Sequence, residues 1–167
     1  TDADVPYETS ALAYFDGVVR GGGFHVVVGD RTLPGSSYAD QLGFVRGLAT
    51  RVFSWAVRVF FTGGVNDTQC GLKAFRGDVA RALFAVLKED GFAGDVELLY
   101  VALKYNLAVR RAPVRLRNQG ASTVSAWRHG PDMLAAIFRT RIRFGKGAYA
   151  SPALDAIARQ DYWNAAR

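Results

Sequence analysis

Apolar positions recur at helical spacing through Leu12, Tyr14, Phe15, Val18 and Val19, and the run breaks at Gly21-Gly22-Gly23. Pro6 suits a first helical position and Glu8 the positive end of the dipole, so the pattern predicts a helix through about Val19. Phe24-His25-Val26-Val27-Val28 is a short β-branched run between glycines and predicts a buried strand ending in Gly29-Asp30-Arg31. Thr32 to Tyr38 is a loop by composition. Helical spacing returns from Phe44 to Phe61, where Leu48, Val52, Trp55 and Val59 are apolar and Arg46, Thr50, Ser54 and Arg58 fall four apart. Gly63-Gly64 stops it.

Asn66 to Lys73 is a polar loop that leads into a short strand, Leu72 to Phe75. Asp78 is expected to cap a helix from Val79 to Lys88. A second helix spans about Gly94 to Tyr105 and ends near Asn106. Leu107 to Val114 reads as a strand whose far end Pro113 assigns to an edge. A Ser/Thr-rich loop (Gln119 to Ser125) and a basic amphipathic stretch (Asp132 to Lys146) follow, then a tail expected to be ragged. Strands alternating with helices predict an α/β layer fold. Thr1-Asp2-Ala3-Asp4 reads as the end of a strand arriving at a site, so the sheet is expected to include strands that precede Thr1.

With 167 residues, the chain is one domain or a large piece of one. Half of it is hydrophobic, enough for a core. The longest stretch free of Asp, Glu, Lys and Arg runs only from Asn118 to Trp127, far short of the ~20 apolar residues a membrane-spanning helix needs. A single cysteine, Cys70, excludes an internal disulfide and fits a reducing compartment. His25 and His129 are too few for a His/Cys metal cluster. The net charge of +6 predicts an anionic partner: nucleic acid, lipid headgroups or a phosphorylated substrate. The aromatics are not interleaved with the basic residues as a stacking platform, which argues against nucleic acid.

Several groups could carry chemistry. Asp2 and Asp4 stand at i and i+2, where two carboxylates can share one oxygen-ligated divalent cation; an ordinary turn or cap is the alternative. Asp30 and Arg31 follow a buried strand, where open α/β sheets bind ligands, unless they form a plain surface ion pair. Arg46 could join Arg31 around a phosphate or simply face solvent. Asp67-Thr68-Gln69-Cys70-Gly71-Leu72-Lys73 packs an anion, an amide and a cation into seven residues. Asp95 and Glu97 form a second acidic i, i+2 pair, expected at a helix start where the dipole favours it.

TDAD, the strand ending GDR, DTQCGLKAF, GFAGDVELL, RRAPVRL and GASTVS occur in that order. Their order and spacing resemble family 2 glycosyltransferases of the polyprenyl-phosphate type, nearest the dolichyl-phosphate β-glucosyltransferase and mannosyltransferase branch. DTQCGLK is the most specific piece. The resemblance covers Thr1 to about Ser125, the expected C-terminal part of a catalytic domain, and is looser over residues 126–167, a basic amphipathic segment. It implies a GT-A fold, a Rossmann-like mixed sheet with helices on both faces, here without its upstream nucleotide-binding half.

By that resemblance Asp2 and Asp4 bind Mg²⁺ or Mn²⁺ on the donor diphosphate, while Asp30, Arg31 and Arg46 hold phosphate. Asp67, Gln69 and Lys73 line the sugar and acceptor side, Glu97 stands near the reacting centre, and Ser122 lies in the loop over the acceptor phosphate. The mannosyl branch often carries Gln two residues past the second aspartate; Pro6 stands there and cannot ligate through a side chain. The implied reaction is inverting transfer of a hexose from UDP-glucose or GDP-mannose to polyprenyl phosphate. The alternatives are a same-fold transferase with a polysaccharide or soluble acceptor, a basic nucleic-acid module, and an inactive remnant. A lipid acceptor would also give FRTRIRF and the basic helix over 44–61 a place at the cytoplasmic face of a membrane; a core-facing apolar side with a solvated basic side is the alternative.

Overall fold

The structure is a computed structural model that describes Thr1 and residues 7–36, 67–68, 70–115 and 126–165. The order is α1 (Thr9–Arg20), β1 (Val26–Asp30), β2 (Lys73–Phe75), α2 (Gly77–Phe84), α3 (Gly91–Lys104), β3 (Val109–Pro113), α4 (Ala126–Gly145) and α5 (Pro152–Ala165). The helix expected over 44–61 lies outside the described residues.

The three strands form one mixed sheet in the order β2-β1-β3. β1 runs antiparallel to β2, with Val26 opposite Phe75, and parallel to β3, with Val26 opposite Val109 and Asp30 opposite Pro113. Every residue of β1 is buried. Its alternating side chains supply two cores. Val26 and Val28 pack with Val79, Leu83, Leu99, Tyr149 and Leu154, from α2, α3 and the C-terminal segment. Val27 packs the other way, with Phe15 of α1, Tyr7, Cys70 and Leu72. The expected α/β layering is present, with helices against both faces.

α3 ends as the sequence predicts. Asn106 takes a left-handed φ of 54°, the Leu107 amide donates back to the Ala102 carbonyl and the Asn106 amide to Leu103. These are the paired bonds of a Schellman turn, with Asn where glycine usually stands.

Four local expectations are corrected. α2 stops at Phe84 rather than Lys88, because the amides of Lys88 and Glu89 donate to the buried carboxylate of Glu97 instead of continuing the helix. Asp78 is not the N-cap: Arg76 holds that position, and Asp78 sits in the first turn paired to the Arg76 guanidinium at 2.8 Å. α3 begins at Gly91, so Asp95 and Glu97 fall past its first turn. The tail is not ragged. Ser151 precedes Pro152 and accepts the Leu154 amide at 3.4 Å, starting α5, whose Leu154 and Ile157 enter the core. Among the described residues no helix is long and apolar enough to cross a membrane.

Candidate functional site

The C-terminal end of β1 is crowded. A Cβ on Gly29 would stand 2.5 Å from Cys70 Sγ, 2.9 Å from Val114 Cγ1 and 3.1 Å from the Leu72 carbonyl. Only glycine lets the 67–73 segment lie this close to the strand. Asp30 is fully buried, and its carboxylate is satisfied by three donors: Arg111 Nε at 2.7 Å, the Thr32 amide at 2.8 Å and the Thr32 hydroxyl at 2.6 Å. That matches the requirement that a buried charge be paired and hydrogen-bonded. Arg31 turns instead to Asp67, with Nε 2.6 Å from Oδ2, a second guanidinium nitrogen 2.8 Å from Oδ1, and its own amide 3.0 Å from Oδ2. Asp30 and Arg31 are therefore neighbours that each bind a different, distant partner.

The 67–73 segment continues from Asp67 into the core. Burial pushes the Cys70 thiol above its usual range, and the Tyr7 hydroxyl lies 3.5 Å from the sulfur while accepting the Gly71 amide at 3.0 Å. Lys73 follows on β2. Its ammonium, almost enclosed, donates to the Cys70 carbonyl at 2.7 Å and to Asp95 Oδ1 of α3 at 2.9 Å.

Lys73 and Asp95 line a cleft of about 580 Å³. Phe75, Leu87 and Leu98 give it an apolar side, Lys88 adds a second cation, and Thr1 stands at it. Residues 87–91, the connection from α2 to α3, form one wall. Two anchors hold that wall. Glu97 Oε2 accepts the Lys88 and Glu89 amides, both at 2.9 Å, while its other oxygen accepts the Tyr149 hydroxyl. The Glu89 side chain pairs with Arg139 at 2.9 Å and also with Arg143, both on α4. The hydrogen bond from Arg139 leads in holding the Glu89 carboxyl below the usual range. α4 ends on Gly147 at a left-handed φ of 74°, with the Ala148 amide returned to Arg143 and the Gly147 amide to Phe144. That reversal delivers Tyr149 to Glu97.

Of the residues singled out in the sequence, Asp30, Arg31, Asp67, Lys73 and Glu97 are described. Asp2, Asp4, Arg46, Gln69 and Ser122 lie outside the described residues. Asp30, Arg31 and Asp67 gather at the end of β1, and Lys73 lines the cleft. Glu97 is fully buried and does not line it. Residues two apart on a helix point about 200° apart, so the acidic pair splits: Asp95 toward Lys73, Glu97 into the interior. Of that pair sequence reasoning carried Glu97 forward and not Asp95, because a helix boundary misplaced by three residues made Asp95 look like a cap. Among the described residues no three His, Cys, Asp or Glu side chains gather where they could hold a metal ion.

The chain is similar in sequence to dolichyl-phosphate beta-glucosyltransferases. It is 30% identical to that of Dictyostelium discoideum over 125 residues, which are 74% of this chain and 38% of the relative. It is 31% identical to that of Homo sapiens over 113 residues, 65% of this chain and 34% of the relative. It is also 29% identical to the glycosyltransferase AglD of Haloferax volcanii over 139 residues, 83% of this chain and 22% of the relative. The chain thus spans well under half the length of the curated relatives it matches. No family model matches it, and no solved structure does.

Proposed function

We propose, from its similarity to the dolichyl-phosphate beta-glucosyltransferases, that this chain is part of a family 2, GT-A-type glycosyltransferase that moves a hexose from a nucleotide sugar to a polyprenyl phosphate. The observation that carries the reading is identity of about 30% over three quarters of the chain, in agreement with the ordered motifs. The relatives' names carry a glucosyl group, which together with Pro6 favours UDP-glucose over GDP-mannose as the proposed donor.

An acceptor phosphate has a second pKa near ~6 and is largely ionised at neutral pH, so it can attack the sugar's anomeric carbon without a strong protein base. The protein's work is then to position the reactants and neutralise charge. Arg31 and Lys73 suit that role: each is a cation already held in place by a carboxylate, Asp67 and Asp95 respectively. Asp95 fixes the Lys73 ammonium in the cleft, and the apolar side formed by Phe75, Leu87 and Leu98 suits the first carbons of a lipid chain. Glu97, buried with three donors on its two oxygens, fixes the cleft wall and does not itself line the cleft.

Asp2 and Asp4 form a hard-oxygen donor set suited to Mg²⁺ or Mn²⁺. When bound, such a cation would neutralise the leaving diphosphate and favour in-line, inverting transfer. Access to a polyprenyl acceptor would place the protein at the cytoplasmic face of a membrane.

The test uses the reading frame that carries this chain. Membranes containing it are given Mg²⁺ or Mn²⁺, polyprenyl phosphate and labelled UDP-glucose or GDP-mannose. Solvent-extractable label with one donor, abolished in Asp4→Ala, is the expected result. Folded protein that yields no lipid product with either donor would sink the reading in favour of another acceptor.

A further inference from the structure

The peptide groups on both sides of the Arg31 Cα are each held by a carboxylate. The Arg31 amide donates to Asp67 Oδ2 at 3.0 Å, and the Thr32 amide to Asp30 Oδ1 at 2.8 Å, where the Thr32 hydroxyl joins it at 2.6 Å. The carbonyl between Asp30 and Arg31 is fixed as well. It accepts the Ser36 hydroxyl at 2.8 Å, and the same oxygen of Ser36 accepts the Val114 amide at 3.1 Å. Ser36 thus bridges the ends of β1 and β3, where Pro113, opposite Asp30, has no N–H to give. Arg31 leaves the sheet on a backbone pinned on both sides, and its guanidinium stays part-exposed while bound to Asp67.

Asp30 supplies much of this hold, yet its carboxylate is fully buried. A buried carboxylate does not reach a phosphate in solution, and its charge would repel one. That charge is cancelled from the neighbouring strand, where Arg111 Nε stands 2.7 Å from Asp30 Oδ2. Without the Arg111 guanidinium, an aspartate next to Arg31 would weaken any phosphate bound there. Asparagine is no substitute at this position. One end of its amide is a donor, which would meet either Arg111 or the two Thr32 donors head on.

We propose that Asp30 is a positioning residue: it touches no substrate, and it fixes the backbone around Arg31 so that the guanidinium stands ready for a substrate phosphate, its own charge cancelled by Arg111. This replaces the phosphate-holding role that the family resemblance gives to Asp30. The positioning stands on the geometry at the end of β1; only the phosphate that Arg31 receives rests on the proposed function.

The test uses the protein of the whole reading frame, as wild type, Asp30→Asn, Thr32→Val, Arg31→Gln, and Asp30→Asn combined with Arg31→Gln. Amide hydrogen exchange is read at Arg31 by fragmentation mass spectrometry, beside a melting curve that shows each variant folds. Exchange should quicken about tenfold or more in Asp30→Asn and about two- to threefold in Thr32→Val, which loses only the exposed hydroxyl bond. In the sugar-transfer assay, Asp30→Asn should raise KM about tenfold for the same substrate as Arg31→Gln does, with kcat within about threefold of wild type. The combined variant should be no worse than Arg31→Gln alone, because nothing is left to position. Unchanged Arg31 exchange in folded Asp30→Asn would overturn the positioning, as would losses that multiply in the combined variant. If Asp30→Asn does not fold, Thr32→Val decides: wild-type exchange at Arg31 would overturn the proposal, and faster exchange would uphold it. Wild-type protein that transfers no sugar, with Arg31 exchange raised in Asp30→Asn, would leave the positioning standing and remove the proposed reaction.

Discussion

Glu97 and Tyr149, 52 residues apart in sequence, are joined side chain to side chain in the buried interior, and through them the C-terminal segment holds the cleft wall. Tyr149→Phe removes one donor from a buried carboxylate, which should cost about 1–3 kcal/mol of stability. Burial, reinforced by Glu97, pushes the Tyr149 hydroxyl from its ordinary 10.0 up to about 12. The sign follows from the unfolded chain losing this proton first. The contribution is complete below about pH 10 and is lost as pH rises toward about 12. Urea titrations across that range should show a steeper alkaline fall in wild type than in the Phe variant.

Glu89 gives the opposite limb. Its carboxyl is held low by Arg139 and then Arg143, so the folded state favours its charged form. Its contribution is present above the ordinary carboxylate range and is lost as pH falls through the lowered value. Glu89→Gln should flatten the acid side of the stability profile, read from melting temperature against pH, and leave the alkaline side unchanged.

Gly29→Ala should be among the costliest single-carbon additions in the chain. The new methyl meets Cys70 Sγ at 2.5 Å, Val114 Cγ1 at 2.9 Å and backbone oxygen at 3.1 Å, and none of these is a flexible side-chain end. Overpacking of this kind costs about 1–3 kcal/mol. Adding Cys70→Ala should recover part of that loss in denaturant unfolding, because one of the three obstacles is removed.

Arg31 and Asp67 are a bidentate pair in which the carboxylate is 7% exposed and the guanidinium 30%. A double-mutant cycle with Arg31→Met and Asp67→Asn should give a coupling of about 1–3 kcal/mol, well above that of the surface pair Arg20–Asp16. If the coupling proves equal to the surface value, the pair does not organise the end of β1.

Asp95→Asn and Glu97→Gln should separate function from stability. Asp95 is half-exposed in the cleft and orients Lys73, so its variant should lose about tenfold or more in the proposed sugar transfer with under about 1 kcal/mol in stability. Glu97→Gln should do the reverse, with a lower melting temperature and a largely retained rate per folded molecule. Transfer kinetics beside a melting curve decide it.

How much of this was legible in the sequence depended on range. The apolar spacing of α1, the β-branched run of β1 and the Asn106 stop are local signals, and each names its element. The end of α2 is not local: it is set by a carboxylate nine residues further along whose side chain is buried only in the folded state. Ser151-Pro152 did announce α5, but the alanine-rich sequence after it lacks a strong apolar stripe, and the signal was passed over. At the site, the location of Asp30 at a central strand end was readable. Its partner Arg111, 81 residues away, was not, nor was the splitting of Asp95 from Glu97, which hangs on where α3 begins.

The parallel pairing of β1 with β3 carries a consequence for the order of events during synthesis. Val26 can meet Phe75 of β2 early, but its parallel neighbour Val109 is made later, and Tyr149, Leu154 and Ile157, which complete its cover, later still. At ~5–20 residues per second, the strand waits about 7–26 seconds after leaving the ribosome before that face can close. Val26 and Val28, covered until then only by α2 and α3, stay more open to another unpaired strand edge for that time. The nascent chain is therefore more open to aggregation before α5 appears, and a ribosome that stalls between Pro113 and Tyr149 would release a sheet with one side only partly covered, by α2 and α3.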